Sequence, residues 1–191
     1  EGKVGGKQVV LGNRKLMERE KIEVPESKVL KLEQSGKTVM MLGVNGKFNG
    51  LIAVADTIKD SAKEAVKSLQ EMGIEVAMIT GDNERTANAI AREIGIKRVL
   101  AEVLPQSKEK EVRKLQDEGK KVAFVGDGIN DAPALAQANI GIAMGEGTDV
   151  AIEAGNITLI NKDLRSVSTA VNLSKKTMRT IRLNLFWAFG Y

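Results

Sequence analysis

The residues best placed to do chemistry lie in Gly126-Asp127-Gly128-Ile129-Asn130-Asp131. They follow Val122-Ala123-Phe124-Val125, a short, partly β-branched apolar run that reads as a buried strand of a parallel sheet. Glycines bracket Asp127. Asn130 and Asp131 precede a small-residue helix beginning near Pro133, a residue suited to a first turn. Open α/β sheets gather their ligands at the carboxyl ends of the strands. Asp127 and Asp131 are then two hard oxygen donors on a tight glycine turn. Such a set suits Mg²⁺, which takes one or two carboxylates with water and substrate phosphate. The plain alternative is a Gly-Asp-Gly turn that only joins strand to helix.

Two further stretches fit the same chemistry. The strand expected at Glu75–Ile79 runs into Thr80-Gly81-Asp82-Asn83, where the Thr80 hydroxyl and the Gly81 amide sit at a helix N-terminus, a natural anion cradle. Asp82 or Asn83 can cap that helix, and capping alone is the favoured reading of Asp82. Leu104-Pro105-Gln106-Ser107-Lys108 opens the next helix. A lysine in a first turn opposes the helix dipole, and a phosphate across the site would account for it. Three such elements on successive strands of one sheet would converge on one pocket. Gly126–Asp131 is not a dinucleotide loop: it lacks the third glycine and places acid where pyrophosphate would lie. The methionines (Met40, Met41, Met72, Met78 and others) are scattered and read as core filler.

Composition narrows the chemistry further. The chain contains no Cys and no His, which excludes disulfides, thiolate metal sites, cysteine nucleophiles and a Ser-His-Asp triad. Carboxylates, lysines, hydroxyls, backbone amides and a metal remain, an inventory suited to phosphoryl transfer, where positioning and charge neutralisation carry the catalysis. A net charge of +4 with only four Phe, one Trp and one Tyr gives no base-stacking platform and no case for nucleic acid. No signal peptide opens the sequence, and a first residue of Glu1 suggests a processed or cut piece.

The elements that must position these residues fall into three parts. Residues 1–55 read as antiparallel α+β. A hairpin edge is expected at Val4–Leu11, a helix capped by Asn13 through Glu20 and a helix over Pro25–Gln34 closed by Gly36. Strands Thr38–Val44 and Phe48–Ala55 are joined by Asn45-Gly46, a two-residue hairpin signal. From Asp56 to residue 162 the chain alternates. Helices are predicted at Asp60–Met72, Asn83–Ile94, Gln106–Glu118, Asn130–Ala138 and Thr148–Ala154. Strands are predicted at Glu75–Ile79, Arg98–Ala101, Lys121–Val125, Ile140–Ala143 and Ile157–Leu159. That alternation predicts βαβ units and a parallel sheet flanked by helices. Asp163–Ile181 reads as an amphipathic helix with Lys175, Lys176, Arg179 and Arg182 clustered towards its close, followed by the apolar run Leu183–Tyr191. Nine residues do not cross a bilayer, which needs roughly 20. A basic cluster before an apolar run is nonetheless the pattern of a cytoplasmic flank entering a membrane.

TGDN at Thr80–Asn83, LPQSK at Leu104–Lys108 and GDGINDAPAL at Gly126–Leu135 together resemble the signatures of P-type ATPases, members of the haloacid-dehalogenase superfamily. GTDVAIEAGNITLI at Gly147–Ile160 and the helix running into NLFWAFGY resemble the copper pumps among the heavy-metal transporters. The resemblance covers essentially the whole chain. It implies a haloacid-dehalogenase-like Rossmannoid sheet in which Asp127 holds the catalytic Mg²⁺, completed by Asn130 and Asp131. Thr80 and Gly81 would contact an aspartyl phosphate, Lys108 would neutralise it, and Asp82 would support that loop. Asp56 matches an acidic hinge residue, and Gly12-Asn13 matches the pair lining the ATP pocket. Tyr191 matches a tyrosine that binds Cu⁺ in the membrane, while the lysine that zinc pumps carry in the membrane helix is not seen in Leu183–Tyr191.

The resemblance has gaps. The family's phosphorylated Asp, in Asp-Lys-Thr-Gly-Thr, is missing, as are the His-Pro pair and the Gly-x-Gly loop that bind adenine. The expectation is therefore a piece of a multi-pass membrane pump, mostly cytoplasmic. It would hold the tail of a nucleotide-binding domain (1–55), a phosphorylation domain without its nucleophile strand (56–162) and the start of a membrane helix (163–191). The implied partners are ATP, Cu⁺ or Ag⁺ as cargo, a copper chaperone, and the rest of the pump: nucleophile strand, actuator and membrane domains. Alone the piece should be inactive. The rival readings are a soluble phosphatase of the same superfamily, which needs an N-terminal nucleophilic Asp, and a non-enzymatic receiver-like binding module.

Overall fold

The computed structural model describes residues 1–55, 58–126, 129–145 and 153–190, with backbone alone at Ile129. The opening sheet is built as its sequence dictates. Strands β1 (Gly2–Val4), β2 (Lys7–Gly12), β3 (Thr38–Val44) and β4 (Lys47–Val54) pair antiparallel in chain order. Asn45 and Gly46 turn β3 into β4 with φ of 49° and 75°, the left-handed pair of a tight hairpin. Two helices, α1 (Arg14–Arg19) and α2 (Glu26–Gln34), lie between β2 and β3 in the chain. Along β3, Val39, Met41 and Gly43 are buried and their neighbours are not, the period of two that a one-sided sheet demands. Val39 and Met41 join Val10, Met17, Ile22 and Val29 in one core under these helices.

The second half alternates as predicted. It runs α3 (Asp60–Glu71), β5 (Ala77–Ile79), α4 (Glu84–Ile94), β6 (Arg98–Leu100), α5 (Lys108–Asp117), β7 (Ala123–Gly126), α6 (Ala132–Gln137), β8 (Ile140–Met144), β9 (Ile157–Leu159) and α7 (Arg165–Gly190). Short 3₁₀ turns, Pro105–Ser107 and Ile129–Asp131, lead into α5 and α6. Every strand pair here is parallel. One expectation needs correction: the strands do not form one sheet. Among the described residues β5 pairs only with β6, and β7-β8-β9 form a separate sheet, so β5 and β7 each keep an edge without a strand partner.

Packing explains the near-continuous apolar character of β7 and β8. Phe124 packs with Val112 of α5 and with Ala134 and Leu135 of α6, while Val125 joins Ile142, Met144 and Val167 of α7 on the other face. Strands covered on both faces lose the polar alternation of a surface sheet. Glycine is required where α6 crosses β8, since a β-carbon on Gly141 would stand 2.5 Å from the Leu135 carbonyl oxygen. Ile79 of β5 also packs on the Phe124 cluster, so the two parallel sheets share a core without sharing hydrogen bonds.

The last helix continues without a break through the apolar run to Gly190. Only its beginning is packed, at Val167 and Ser168, and from Asn172 onward every described side chain is exposed. Among the described residues no helix is long and apolar enough to cross a membrane. The helix expected over Thr148–Ala154 and the hinge residue Asp56 lie wholly or largely outside the described residues.

Candidate functional site

Two groups of polar side chains stand at the carboxyl ends of the parallel strands. The first follows β5. The Thr80 hydroxyl donates to Asp82 Oδ2 at 2.8 Å, and the Asp82 amide donates back to Thr80 Oγ1 at 3.1 Å. The loop is tied to the segment after β6, since Glu102 N–H donates to the Asp82 carbonyl at 2.9 Å and Val103 N–H to the Thr80 carbonyl at 3.0 Å. Glu102 makes its bond with φ of 54°, in the left-handed region that a non-glycine residue enters only when its surroundings hold it there.

Capping falls to Asn83 and not to Asp82. Asn83 Oδ1 accepts from the Thr86 amide at 3.0 Å, and Asn83 Nδ2 donates to Thr86 Oγ1 at 2.9 Å. The favoured capping role of Asp82 is thus overturned. The carboxylate is engaged elsewhere, by Thr80 and by Thr38 of β3, whose hydroxyl donates to Asp82 Oδ1 at 3.1 Å.

The second group spans α5 and the turn before α6. Lys108, the first residue of α5, donates from Nζ to Asp131 Oδ1 at 2.7 Å. A lysine against the helix dipole thereby has a carboxylate partner as well as any ligand it meets. Asp131 is buried and lies over Gly126, where a β-carbon would stand 2.8 Å from Asp131 Cβ and Oδ2. Gly126 is therefore required by close approach, and its φ lies outside the left-handed region. Asn130 is exposed on the same 3₁₀ turn.

Of the other residues read from sequence, Gly12 ends β2 opposite Met41, and Asn13 caps α1, its side chain accepting from the Leu16 amide at 3.1 Å. Asp127 and Tyr191 lie outside the described residues. The structure thus brings Lys108, Gly126 and Asp131 into contact and gathers Thr80, Gly81 and Asp82 in one loop. Gly12 and Asn13 stand apart, on the antiparallel sheet. Sequence reasoning missed Thr38, which acts on Asp82 from 44 positions away, and no spacing rule connects residues that far apart. A cleft beside the Asp82 loop is lined by Glu84, Asn88, Lys97 and Glu102.

Parallel strands joined through helices, with carboxylates, a lysine and a threonine at their carboxyl ends, define an α/β protein. Residues 3–139 match the profile of the haloacid dehalogenase-like hydrolases, and the chain belongs to that family. It is 54% identical over 189 residues to a copper-exporting P-type ATPase of Bacillus subtilis, covering 98% of this chain and 24% of that protein. Its identity to a copper-exporting P-type ATPase of Staphylococcus aureus is 55% over 186 residues, covering 96% and 23%. Among solved structures it is similar to a zinc-transporting PIB-type ATPase in the E2.Pi state, with a TM-score of 0.73 and 37% identity over 98% of this chain and 30% of that one. The chain spans about a quarter of the length of the curated relatives it matches. The likeness to copper-exporting P-type ATPases that the motifs carry therefore extends over nearly the whole chain.

Proposed function

We propose that this chain is the phosphate- and metal-handling segment of an ATP-driven copper-exporting P-type ATPase, working through an aspartyl phosphate. The observation that carries the reading is the Lys108–Asp131 pair, 2.7 Å long and seated on Gly126 at the end of β7. It sets a cation and a carboxylate side by side at the strand end, beside the position that Asp127 follows in sequence. A transferring phosphoryl group needs opposite charges so arranged, one on the phosphate oxygens and one on the metal.

The donor set fits Mg²⁺. Asp131 gives one oxygen to Lys108 and turns the other toward Gly126, and Asp127 supplies the second carboxylate of the pair that such an ion takes, with Asn130 beside them. Bound there, the ion would neutralise charge on the phosphate. In this reading Thr80 and Gly81 bind the phosphate oxygens, Lys108 offsets their charge, Gly12-Asn13 borders ATP, and Tyr191 belongs to the Cu⁺ path. Silver as a second cargo and a copper chaperone as a partner are part of the same proposal.

The nucleophile is assigned to a strand that is not among those described. The unpartnered edges of β5 and β7 support this, because a strand inserted there would deliver a carboxylate between Thr80 and Lys108. The change from an antiparallel sheet to parallel sheets and then to a long terminal helix supports the proposed division into 1–55, 56–162 and 163–191. The membrane assignment of the last part rests on Lys175, Lys176, Arg179 and Arg182 standing before exposed Leu183, Phe186, Trp187 and Phe189.

The test is acid-quenched labelling with radioactive ATP and Mg²⁺. The 191-residue chain alone should take no acid-stable label, and stoichiometric labelling would place the nucleophile on one of its own carboxylates and refute the assignment. In a pump carrying this segment, copper should stimulate labelling and Asp127→Asn should abolish turnover. Normal Mg²⁺-dependent turnover in that variant would sink the metal assignment.

A further inference from the structure

We propose that Thr38 is a positioning residue for the phosphate-binding loop and acts through Asp82, an inference that rests on the reading of Thr80 and Gly81 as phosphate contacts. Thr80 has one hydroxyl proton, and it is given to Asp82 Oδ2 at 2.8 Å. To donate to a phosphate oxygen, the hydroxyl must turn away and leave that carboxylate short of a donor. The cost of stripping a donor from a charged acceptor exceeds that of losing an ordinary hydrogen bond. Thr38 meets it from outside the loop. Its hydroxyl holds Asp82 Oδ1 at 3.1 Å, so the carboxylate keeps a partner while Thr80 swings to the ligand. Without Thr38, carboxylate and phosphate compete for one proton.

Thr38 is held in place for this task. It is the first residue of β3, and Gly36 with φ of 73° reverses the chain just before it. The Lys37 carbonyl accepts from Thr86 Oγ1 at 3.0 Å, and Thr86 is fully buried on the first turn of α4. Glu33 at the end of α2 is 3% exposed. It accepts from Arg14 Nη2 at 2.9 Å and from Arg85 Nη1 at 3.2 Å, and Arg85 also stands on the first turn of α4. The corner between α2 and β3 is thus fastened at two points to the helix that the Thr80–Asn83 loop begins. Thr38 reaches the carboxylate from that fixed corner.

The experiment uses the full chain labelled with ¹⁵N, titrated with inorganic phosphate in the presence of Mg²⁺, in wild-type, Thr38→Val and Thr38→Ser forms. Thr38 is exposed, so neither substitution disturbs a core. In the wild type the Thr80 and Gly81 amides should shift on titration. Thr38→Val should raise the apparent Kd by about five- to tenfold, the range of one charged hydrogen bond at a partly wet site. Amide exchange at Asp82 and Glu102 should quicken in the same variant while the amides of β4 keep their rates. Thr38→Ser, which keeps the hydroxyl, should restore both. Equal phosphate affinity in wild type and Thr38→Val overturns the proposal, as does Thr38→Ser behaving like Thr38→Val. A wild type whose Thr80 and Gly81 amides ignore phosphate removes the phosphate-loop reading itself, and that failure is seen before any variant is compared.

Discussion

Gly126→Ala probes the site through its tightest contact. A β-carbon there would meet Asp131 Cβ and Oδ2 at 2.8 Å and Cγ at 3.0 Å. Non-bonded carbons rest at about 3.5–4.0 Å, so Asp131 must retreat by roughly 1 Å. Retreat on that scale stretches the 2.7 Å bond from Lys108 to the limit of a hydrogen bond, about 3.5 Å, unless the lysine follows. Forcing an extra methyl into a packed contact costs about 1–3 kcal/mol. Losing a charged hydrogen bond costs about 1.5–3 kcal/mol, of which roughly half is retained because Lys108 is 21% exposed and can reach water. The expected destabilisation is therefore about 2–4 kcal/mol, read from urea unfolding followed by far-ultraviolet circular dichroism with an unchanged slope. Gly50→Ala is the control. Nothing lies within 4 Å of a β-carbon there, and its effect should stay within about 0.5 kcal/mol. If both variants unfold at the same urea concentration, Asp131 is not seated on Gly126 and the geometry of the site is wrong.

Gly141→Ala should cost about 2–3 kcal/mol by the same assay, because the clash is with the Leu135 backbone and no side chain can swing aside; full native stability would contradict the seating of α6 on β8. Glu33→Gln should lower stability by about 1–3 kcal/mol, since a buried acceptor of two guanidinium groups loses its charge; Arg85→Ala should cost less, its side chain being 53% exposed. Arg14 is raised above its ordinary value: burial works against the charge, but the hydrogen bonds to Glu26 and Glu33 outweigh it. Acid should weaken the fold in a defined window. Hydrogen bonds from Lys120, Arg98 and Arg165 hold Glu75, Glu118 and Asp163 below their ordinary values of 4.5, 4.5 and 3.8. Depressed carboxylates stabilise above the unfolded value and lose that contribution as pH falls through the folded one, so melting temperature should drop below about pH 4.5. Arg98→Gln should flatten the fall, and molar salt should do the same because these pairs lie at the surface, where salt screens them.

Elements with a local cause were legible from sequence. Asn45-Gly46, Gly36 and Gly95 punctuate the chain with left-handed backbone, and the strands and helices between them fall within a few residues of expectation. Strand β5 came out shorter, at Ala77–Ile79, with Glu75 ahead of it in ion pairs with Lys120 and Arg98. What no local rule could supply was partner choice. That β5 and β7 fall in separate sheets among the described residues is a matter of long-range strand pairing, which no local pattern encodes. That Asn83 and not Asp82 caps α4 depends on a threonine in another sheet competing for the carboxylate.

The two described aspartates of the site illustrate why residue type and spacing stop short of role. Asp82 and Asp131 each sit just beyond the end of a parallel strand and just before a helix, yet in sequence Asp82 reads as a cap or loop support and Asp131 as a metal ligand. Asp82 has each oxygen on a hydroxyl, Thr80 on one side and Thr38 on the other. A cation there would have to displace both and would find no second carboxylate in the loop. Asp131 has one oxygen on an ammonium group and the other above a glycine that leaves it room. A pair of neutral donors steadies a carboxylate and fixes its direction, while a single cationic partner leaves an oxygen for a metal and brings the counter-charge a phosphate needs. Under the proposed function, the division of labour between loop support and charge handling would be set by what each carboxylate touches, and three of those partners, Thr38, Lys108 and Gly126, come from elements other than the aspartate's own.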